Sequence, residues 1–306
     1  MEGILDFIAR QGVDPTIVAG IGEFRAAHPT PDGLADRVPR PHLRYLGKEV
    51  WEEAACALLC GENLLLAGPK ATGKNVLAQN LACAFGRPEW DLSLHVDIDA
   101  TLMLGSDTFA DGKVVFRPGP ICRSAQEGGF CVLDEINMAR GEALAVLHAA
   151  LDHRRIIDVP GYGLVRLDGA TRFVATMNVG YAGTRELNEA LASRFVVVTM
   201  PPLDRDGVEG LLRAEFPALK PAAARQLAAL YCELRLKCER GEITDRALDL
   251  RGLLGAVRLM GRGLPASRAL RCCITNKVFD AYERSLVEDA VAARIPKAWK
   301  AGDLFA

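Results

Sequence analysis

The 306-residue chain predicts an α/β domain on a mostly parallel sheet, followed by a smaller all-helical domain. Three observations carry this. Short apolar runs alternate with helical patterns from Tyr45 to Met200. One of these runs enters a glycine-bearing loop and then an amphipathic stretch. Beyond Pro201 and Pro202, apolar residues recur only at helical spacing.

Taken in order, residues 1–44 hold one short apolar-periodic piece (Ile4, Leu5, Phe7, Ile8) and then Pro29, Pro31, Pro39 and Pro41, and read as an N-terminal extension or arm. Residues 45–202 supply five strand candidates: Asn63–Ala67, Leu92–Ile98, Phe130–Leu133, Arg172–Met177 and Phe195–Thr199. Two hairpins interrupt them. The first is Thr108–Ala110 and Lys113–Phe116 about the favoured Asp111-Gly112 turn, and the second spans Arg155–Leu167 about Pro160 and its glycines. The proline pair at 201–202 removes a donor and biases the chain away from helix, which sets a domain boundary there. Leu227, Leu230 and Leu234, then Leu250, Leu253, Leu254 and Val257, mark the helices of residues 203–306.

Composition excludes some classes. Against 39 Asp+Glu stand 37 Lys+Arg, a formal charge of -2, which argues against a nucleic-acid-coating protein. Nine cysteines without a CxxC pair read as reduced, buried thiols of a cytoplasmic protein. No uninterrupted apolar run reaches the ~18 residues a membrane helix needs, so no membrane association is expected.

The first strand candidate runs into Gly68-Pro69-Lys70-Ala71-Thr72-Gly73-Lys74-Asn75, with Val76, Leu77 and Leu81 at helical spacing behind it. The G-x-x-x-x-G-K spacing suits a phosphate-binding P-loop. Glycines let backbone N–H groups converge on phosphate oxygens, the helix N-terminus adds positive potential, and Lys74 reaches the terminal phosphates. A nucleotide such as ATP, with Mg²⁺, is the ligand this implies. One residue departs from the motif: Asn75 stands where Ser or Thr offers Mg²⁺ a hydroxyl, and its amide oxygen is a neutral donor on a longer arm.

About sixty residues on, Phe130–Leu133 ends in Asp134 and Glu135. Such a pair suits a Walker B site, with Asp134 orienting Mg²⁺ and Glu135 polarising the attacking water. Phe173–Met177 then delivers Asn178 at a strand tip, where an amide can bond both the γ-phosphate and that water.

The ordered set GPKATGKN, LDEINMAR and ATMNVGYAGTRELNEALASRF, with its helical tail, resembles the MoxR family of AAA+ ATPases within the dynein-related AAA subfamily, close to the CbbQ/NorQ and gas-vesicle GvpN-like proteins. The likeness runs from about Leu46 to Val287. It implies a five-stranded parallel sheet in the order 5-1-4-3-2, a small helical lid, and hairpins inserted where the two candidates lie. It implies that Arg194 is an arginine finger presented to a neighbouring subunit's γ-phosphate, and that Arg251 begins a lid helix as second sensor, with Arg246 as a rival. Arg140 and Arg185 are lesser candidates for a subunit interface. His148 and His153 flank Asp152 at a spacing poor for a metal.

The resemblance further implies a homo-oligomer, a hexameric ring, that uses ATP hydrolysis to remodel or activate a client protein, together with a von Willebrand factor A (VWA) domain partner. Two other readings stay open. A nucleotide-gated scaffold with little turnover is favoured by Asn75, and a nucleic-acid motor by Lys113, Arg117, Arg154, Arg155 and Arg166 around the hairpins. The second lacks the aromatic interleaving that stacks bases.

Overall fold

The computed structural model describes residues 3–179, 186–296 and 299–305. Its strands are β1 (Leu64–Gly68), β2 (Glu89–Ser93), β3 (Gly105–Ala110), β4 (Lys113–Pro118), β5 (Phe130–Asp134), β6 (Ile156–Val159), β7 (Gly163–Arg166), β8 (Arg172–Asn178) and β9 (Val196–Thr199). Five of them make one sheet, in the order β2-β5-β8-β1-β9, and every pairing in it is parallel. Parallel strands need crossovers, so both faces are covered and the strands read as continuous apolar runs. Accordingly all five residues of β1, Leu-Leu-Leu-Ala-Gly, are buried.

The pleat divides these residues between two cores. Leu64 and Leu66 join Phe130, Val132 and Val174 on one side, under α3 (Lys48–Leu59) and α4 (Lys74–Phe85). Leu65, Cys131, Leu133, Phe173 and Ala175 join the other, with Ile121, Leu147 and Val165.

The N-terminal segment is corrected by the structure. It is not an appendage: α1 (Ile4–Arg10) and α2 (Pro15–Ala27) bury Ile4, Ile8 and Ile21 in the same core as Trp51, Leu81 and Phe85. Asp14 caps α2 by accepting from the Thr16 N–H at 2.8 Å, and the Gln11 side chain joins α1 to the backbone of Tyr45 and Gly47.

The second strand also differs, lying at Glu89–Ser93 and not Leu92–Ile98. Its first half is disguised by two acids on one face, Glu89 and Asp91, whereas His95–Asp99 turns away with the Ile98 N–H bonded to the His95 carbonyl. The first hairpin, β3–β4, is longer than its alternation suggests and pairs Gly105 with Pro118. Asp111 and Gly112 both have positive φ, 51° and 77°, as a two-residue turn matched to strand twist requires. In β6–β7, Val159 pairs with Gly163 across Pro160–Tyr162. The hairpins touch through Phe116 and Tyr162, stacked with ring centroids 4.2 Å apart.

Contacts divide the chain into two units: residues up to Pro69 with Gly73–Pro201, and Lys70–Thr72 with the residues from Pro202 onward. The second unit is helical, with its longest helix at Pro221–Glu239, and an isolated antiparallel bridge pairs Leu219, just ahead of that helix, with Phe305. None of the described helices is long and apolar enough to cross a membrane.

The cysteines are not uniformly buried. Cys122 and Cys131 are, but Cys56, Cys60 and Cys272 are exposed, Cys56 on the outer face of α3 and Cys60 at its C-cap. All nine are unpaired thiols. Burial pushes the Cys131 thiol up to about 12, which suits packing and not nucleophilic chemistry.

Three arginines close the N-terminal end of the sheet by saturating backbone carbonyls. Arg172 donates through Nε to Leu58 at 2.6 Å and through Nη1 to Gly169 and Thr171 at 2.9 and 2.8 Å. Arg87 reaches Gly128, His28, Pro29 and Glu127, and Arg155 reaches Asp168 and Thr171. Burial lowers the Arg172 guanidinium to about 10, with Arg155 and Arg87 adding like-charge pressure. Arg172→Met leaves three carbonyls without this donor. It is expected to reduce the unfolding free energy by about 2–4 kcal/mol, read as a lower urea midpoint at unchanged slope.

Candidate active site

The site assembles at the C-terminal ends of β1, β5 and β8, whose tips are in register: Gly68 opposite Asn178, and Leu133 opposite Ala175. In parallel sheets this edge is where ligands bind. Gly68 is held to glycine by proximity, since a Cβ there would lie 2.6 Å from the Met200 carbonyl oxygen. The loop behind it is left-handed at Ala71 (φ 62°) and at Gly73 (φ 86°) but not at Thr72 between them. Alternating handedness turns successive N–H groups toward one concavity, the arrangement that cradles anions. Val76 sits in the first turn of α4, whose N-terminus the loop feeds.

Lys74 is the first residue of α4 and is buried. Its ammonium donates to the carbonyls of Gly68 at 2.9 Å and Pro69 at 2.6 Å. Desolvation pulls its pKa down to about 8, and Asp134 and Glu135 oppose that fall.

The acids are organised by neighbours on other strands. Asp134 accepts from the Thr176 hydroxyl at 2.6 Å through one oxygen and from the Asn75 amide at 2.9 Å through the other. The same Thr176 oxygen accepts the Glu135 N–H at 3.0 Å. Glu135 leaves the strand in a left-handed conformation (φ 56°, ψ 47°), uncommon for a residue with a side chain and often found where geometry serves a site. Its Oε1 accepts from the Asn178 amide at 3.1 Å, and the Asn178 carbonyl accepts from Asn137 at 3.0 Å.

The structure thus brings Lys74, Asn75, Asp134, Glu135 and Asn178 together. Thr176 and Asn137 join them, though the sequence reading did not single them out. For Thr176 a signal was there: it stands two residues before Asn178, so both side chains leave β8 on one face.

The family comparison accords with this geometry. Residues 63–195 match the model of the AAA domain, dynein-related subfamily. The chain belongs to the AAA+ ATPases. It is 32% identical over 259 residues to an uncharacterized protein of Staphylococcus saprophyticus, covering 82% of this chain and 98% of that one. It is 31% identical over 256 residues to one of Staphylococcus aureus (strain bovine RF122 / ET3-1), covering 82% and 97%, and 30% identical over 250 residues to one of Staphylococcus haemolyticus, covering 80% and 95%. A nucleotide-binding P-loop domain is therefore the identity of residues 63–195.

The remaining candidates lie elsewhere. Arg194 follows the short helix Glu189–Ala192, at the opposite end of the sheet from the P-loop. Its Nη1 bonds back to the Ala190 carbonyl, its Nε is buried with no partner among the described residues, and its carbonyl accepts from Asn63 at 3.0 Å. It lines a groove of about 600 Å³ with Glu62, Asp152, His153 and Arg155. Arg140 lies exposed, 3.9 Å from Asp97. Arg185 falls outside the described residues. Within the helical unit, Arg251 is exposed in the first turn of Leu250–Gly261, and Arg246 lies over the Phe279 ring, 5.6 Å from its centroid. His153 Nδ1 approaches Asp152 at 3.2 Å, and among the described residues no cluster of three His, Cys, Asp or Glu could hold a metal.

The lowered Lys74 pKa makes a testable statement about ligand binding. The ammonium is charged below about pH 8 and loses its proton as pH rises through that value. A triphosphate favours the charged form, so its binding draws a proton back wherever free Lys74 is deprotonated. Calorimetry of ATP binding in buffers of differing ionisation enthalpy should show net uptake approaching one proton at about pH 9 and nearly none from this group at about pH 6.5.

Proposed function

We propose that the chain is an oligomeric ATPase of the MoxR type, using ATP binding and hydrolysis to remodel or activate a client protein, with a VWA-domain protein as partner. One observation supports hydrolysis above all. Glu135, clasped by Asn178 on the next strand, projects beside an acid and a lysine that suit a metal-bound triphosphate. The donors present fit Mg²⁺: Asp134 and the Asn75 side-chain oxygen are hard oxygen ligands at the mouth of the loop. When bound, Mg²⁺ screens the phosphate charge as the terminal bond breaks.

In this reading, the backbone N–H groups from Lys70 to Val76 hold the phosphates, and Pro69, which has no N–H, shapes the loop ahead of them. Lys74 exchanges its two carbonyl partners for phosphate oxygens. Asn178 orients the water, and Glu135 takes its proton, with the two strand tips fixing their separation. Arg194 lies remote from this cluster in its own chain, which suits a finger that serves an adjacent copy. A guanidinium delivered in this way stabilises transition-state charge by a factor of about 10³–10⁵ in related phosphoryl transfers. Arg251 is the lid sensor of the proposal, a hexameric ring is its assembly, and the cytoplasm is its compartment.

A specific contact favours the scaffold reading. The Asn75 amide donates to the Asp134 oxygen that a metal would use, so metal entry must displace it. Asn75→Thr replaces that donor with the usual hydroxyl and is expected to lower the Mg²⁺ concentration for half-maximal turnover about tenfold. An unchanged requirement would count against metal binding through position 75.

Glu135→Gln is expected to cut hydrolysis by about 10²–10⁴ while sparing ATP binding, and Arg194→Ala to cut it by about 10³ or more. The decisive measurement mixes the two inactive proteins. Where an Arg194 from one meets a Glu135 from the other, turnover should return. A mixture as silent as its components would overturn the shared site, and equal rates in wild type and both variants would overturn the ATPase itself.

A further inference from the structure

The segment Tyr45-Leu46-Gly47, which leads into α3, is held by side chains from three elements. Gln11, which closes α1, donates from Nε2 to the Tyr45 carbonyl at 3.1 Å and accepts the Gly47 N–H on Oε1 at 3.0 Å. Trp51 of α3 adds a second bond to the same carbonyl, from Nε1 at 3.0 Å. From α4 comes Asn80, fully buried, whose amide donates to the Leu43 carbonyl at 2.9 Å and to the Val76 carbonyl at 2.7 Å. Its oxygen accepts the Tyr45 N–H at 3.4 Å. Val76 lies in the first turn of the helix that the phosphate loop enters, so one side chain joins that turn to the segment.

What the segment delivers is a ring. Tyr45 is buried, and the two edges of its ring lie against two glycines. A Cβ on Gly73 would come within 3.2 Å of Cδ2 and 3.4 Å of Cε2, and one on Gly47 within 3.0 Å of Cε1 and 3.4 Å of the phenol oxygen. Both glycines hold positive φ, 86° at Gly73 and 148° at Gly47. Glycine enters positive φ about as readily as negative, so residue 73 permits its left-handed turn without selecting it. Selection has to come from a neighbour. The ring fills the space beside Gly73 and limits the path of the backbone there, directly before Lys74 and the start of α4. Burial pushes the phenol up to about 12, so it stays neutral and what it offers the loop is shape, not charge.

On the reading of residues 68–75 as a triphosphate cradle, we propose that Tyr45 is a positioning residue of that loop, a strut seated by Gln11, Trp51 and Asn80 whose ring holds Gly73 in its left-handed turn before the ligand arrives. The N-terminal helices thereby reach the cradle, since Gln11 acts on Gly73 through the ring. A loop ordered in advance spares the ligand the ordering. Fixing the backbone of one residue is worth about a tenfold change in affinity, which is the loss expected when the strut is removed.

The test uses the full-length protein and AMP-PNP, an ATP analogue that resists hydrolysis, titrated calorimetrically with Mg²⁺ present. Tyr45→Leu keeps an apolar side chain without the ring and is expected to weaken binding about tenfold, whereas Tyr45→Phe keeps the ring and stays within about twofold of wild type. Gln11→Ala lies outside the loop and should weaken binding about threefold by loosening the seat, and it decides the matter if Tyr45→Leu fails to fold. With ATP as substrate, KM should rise by the same factors while kcat changes by less than about twofold, because the loop grips phosphates in ground and transition state alike. A role in packing alone lowers the melting temperatures of Tyr45→Leu and Gln11→Ala and leaves their affinities equal to wild type. That result overturns the proposal, as does a Tyr45→Phe variant that binds as weakly as Tyr45→Leu. Tyr45-dependent binding of AMP-PNP without any ATP turnover keeps the proposal and removes the hydrolysis reading. No binding by wild type removes both.

Discussion

The hydrogen bonds that Asp134 accepts from Thr176 and Asn75 are the constraint on which the site depends. One carboxylate fixes the tip of β5 to the tip of β8 and to the first turn of α4, the elements that carry Asp134, Thr176, Asn178, Lys74 and Asn75. Thr176 is shared between the Asp134 carboxylate and the Glu135 amide, so it also anchors the left-handed turn that swings Glu135 out of the strand line. Side-chain bonds of this kind, partly buried among apolar strands, hold geometry more firmly than they would in water.

Much of this was legible in the sequence because the relevant signals are local. Gly68 and Gly73 mark backbone requirements that no other residue meets as easily, and the apolar runs ending in Asp134–Glu135 and in Asn178 announce strand tips. What escaped was non-local. The burial of α1 and α2 against α3 and α4 rests on a few apolar residues, Ile4, Ile8 and Ile21, that look ordinary until a partner surface exists. The start of β2 was hidden for the opposite reason: Glu89 and Asp91 break the apolar run that marks a parallel strand, yet the backbone pairs with β5 regardless of what the side chains prefer. Thr176 sits in plain view, but its role exists only through Asp134, 42 positions away.

The same contrast separates Lys74 from Arg194. Lys74 has a local reason to be where it is, since its helix begins at the loop it serves, and its carbonyl partners hold it buried until a better anion arrives. Among the described residues, the Arg194 side chain bonds only back to the Ala190 carbonyl of its short helix. Its Nε is buried without an acceptor among the described residues, at the edge of a groove.

The aromatic stack of Phe116 on Tyr162 ties β3–β4 to β6–β7, two ribbons that the sequence separates by the whole of β5. A face-to-face ring pair of this kind is worth about 1 kcal/mol, a bias of roughly fivefold in favour of the two ribbons travelling together. At that strength the contact opens and re-forms readily, so one ribbon can shift without carrying the other rigidly with it.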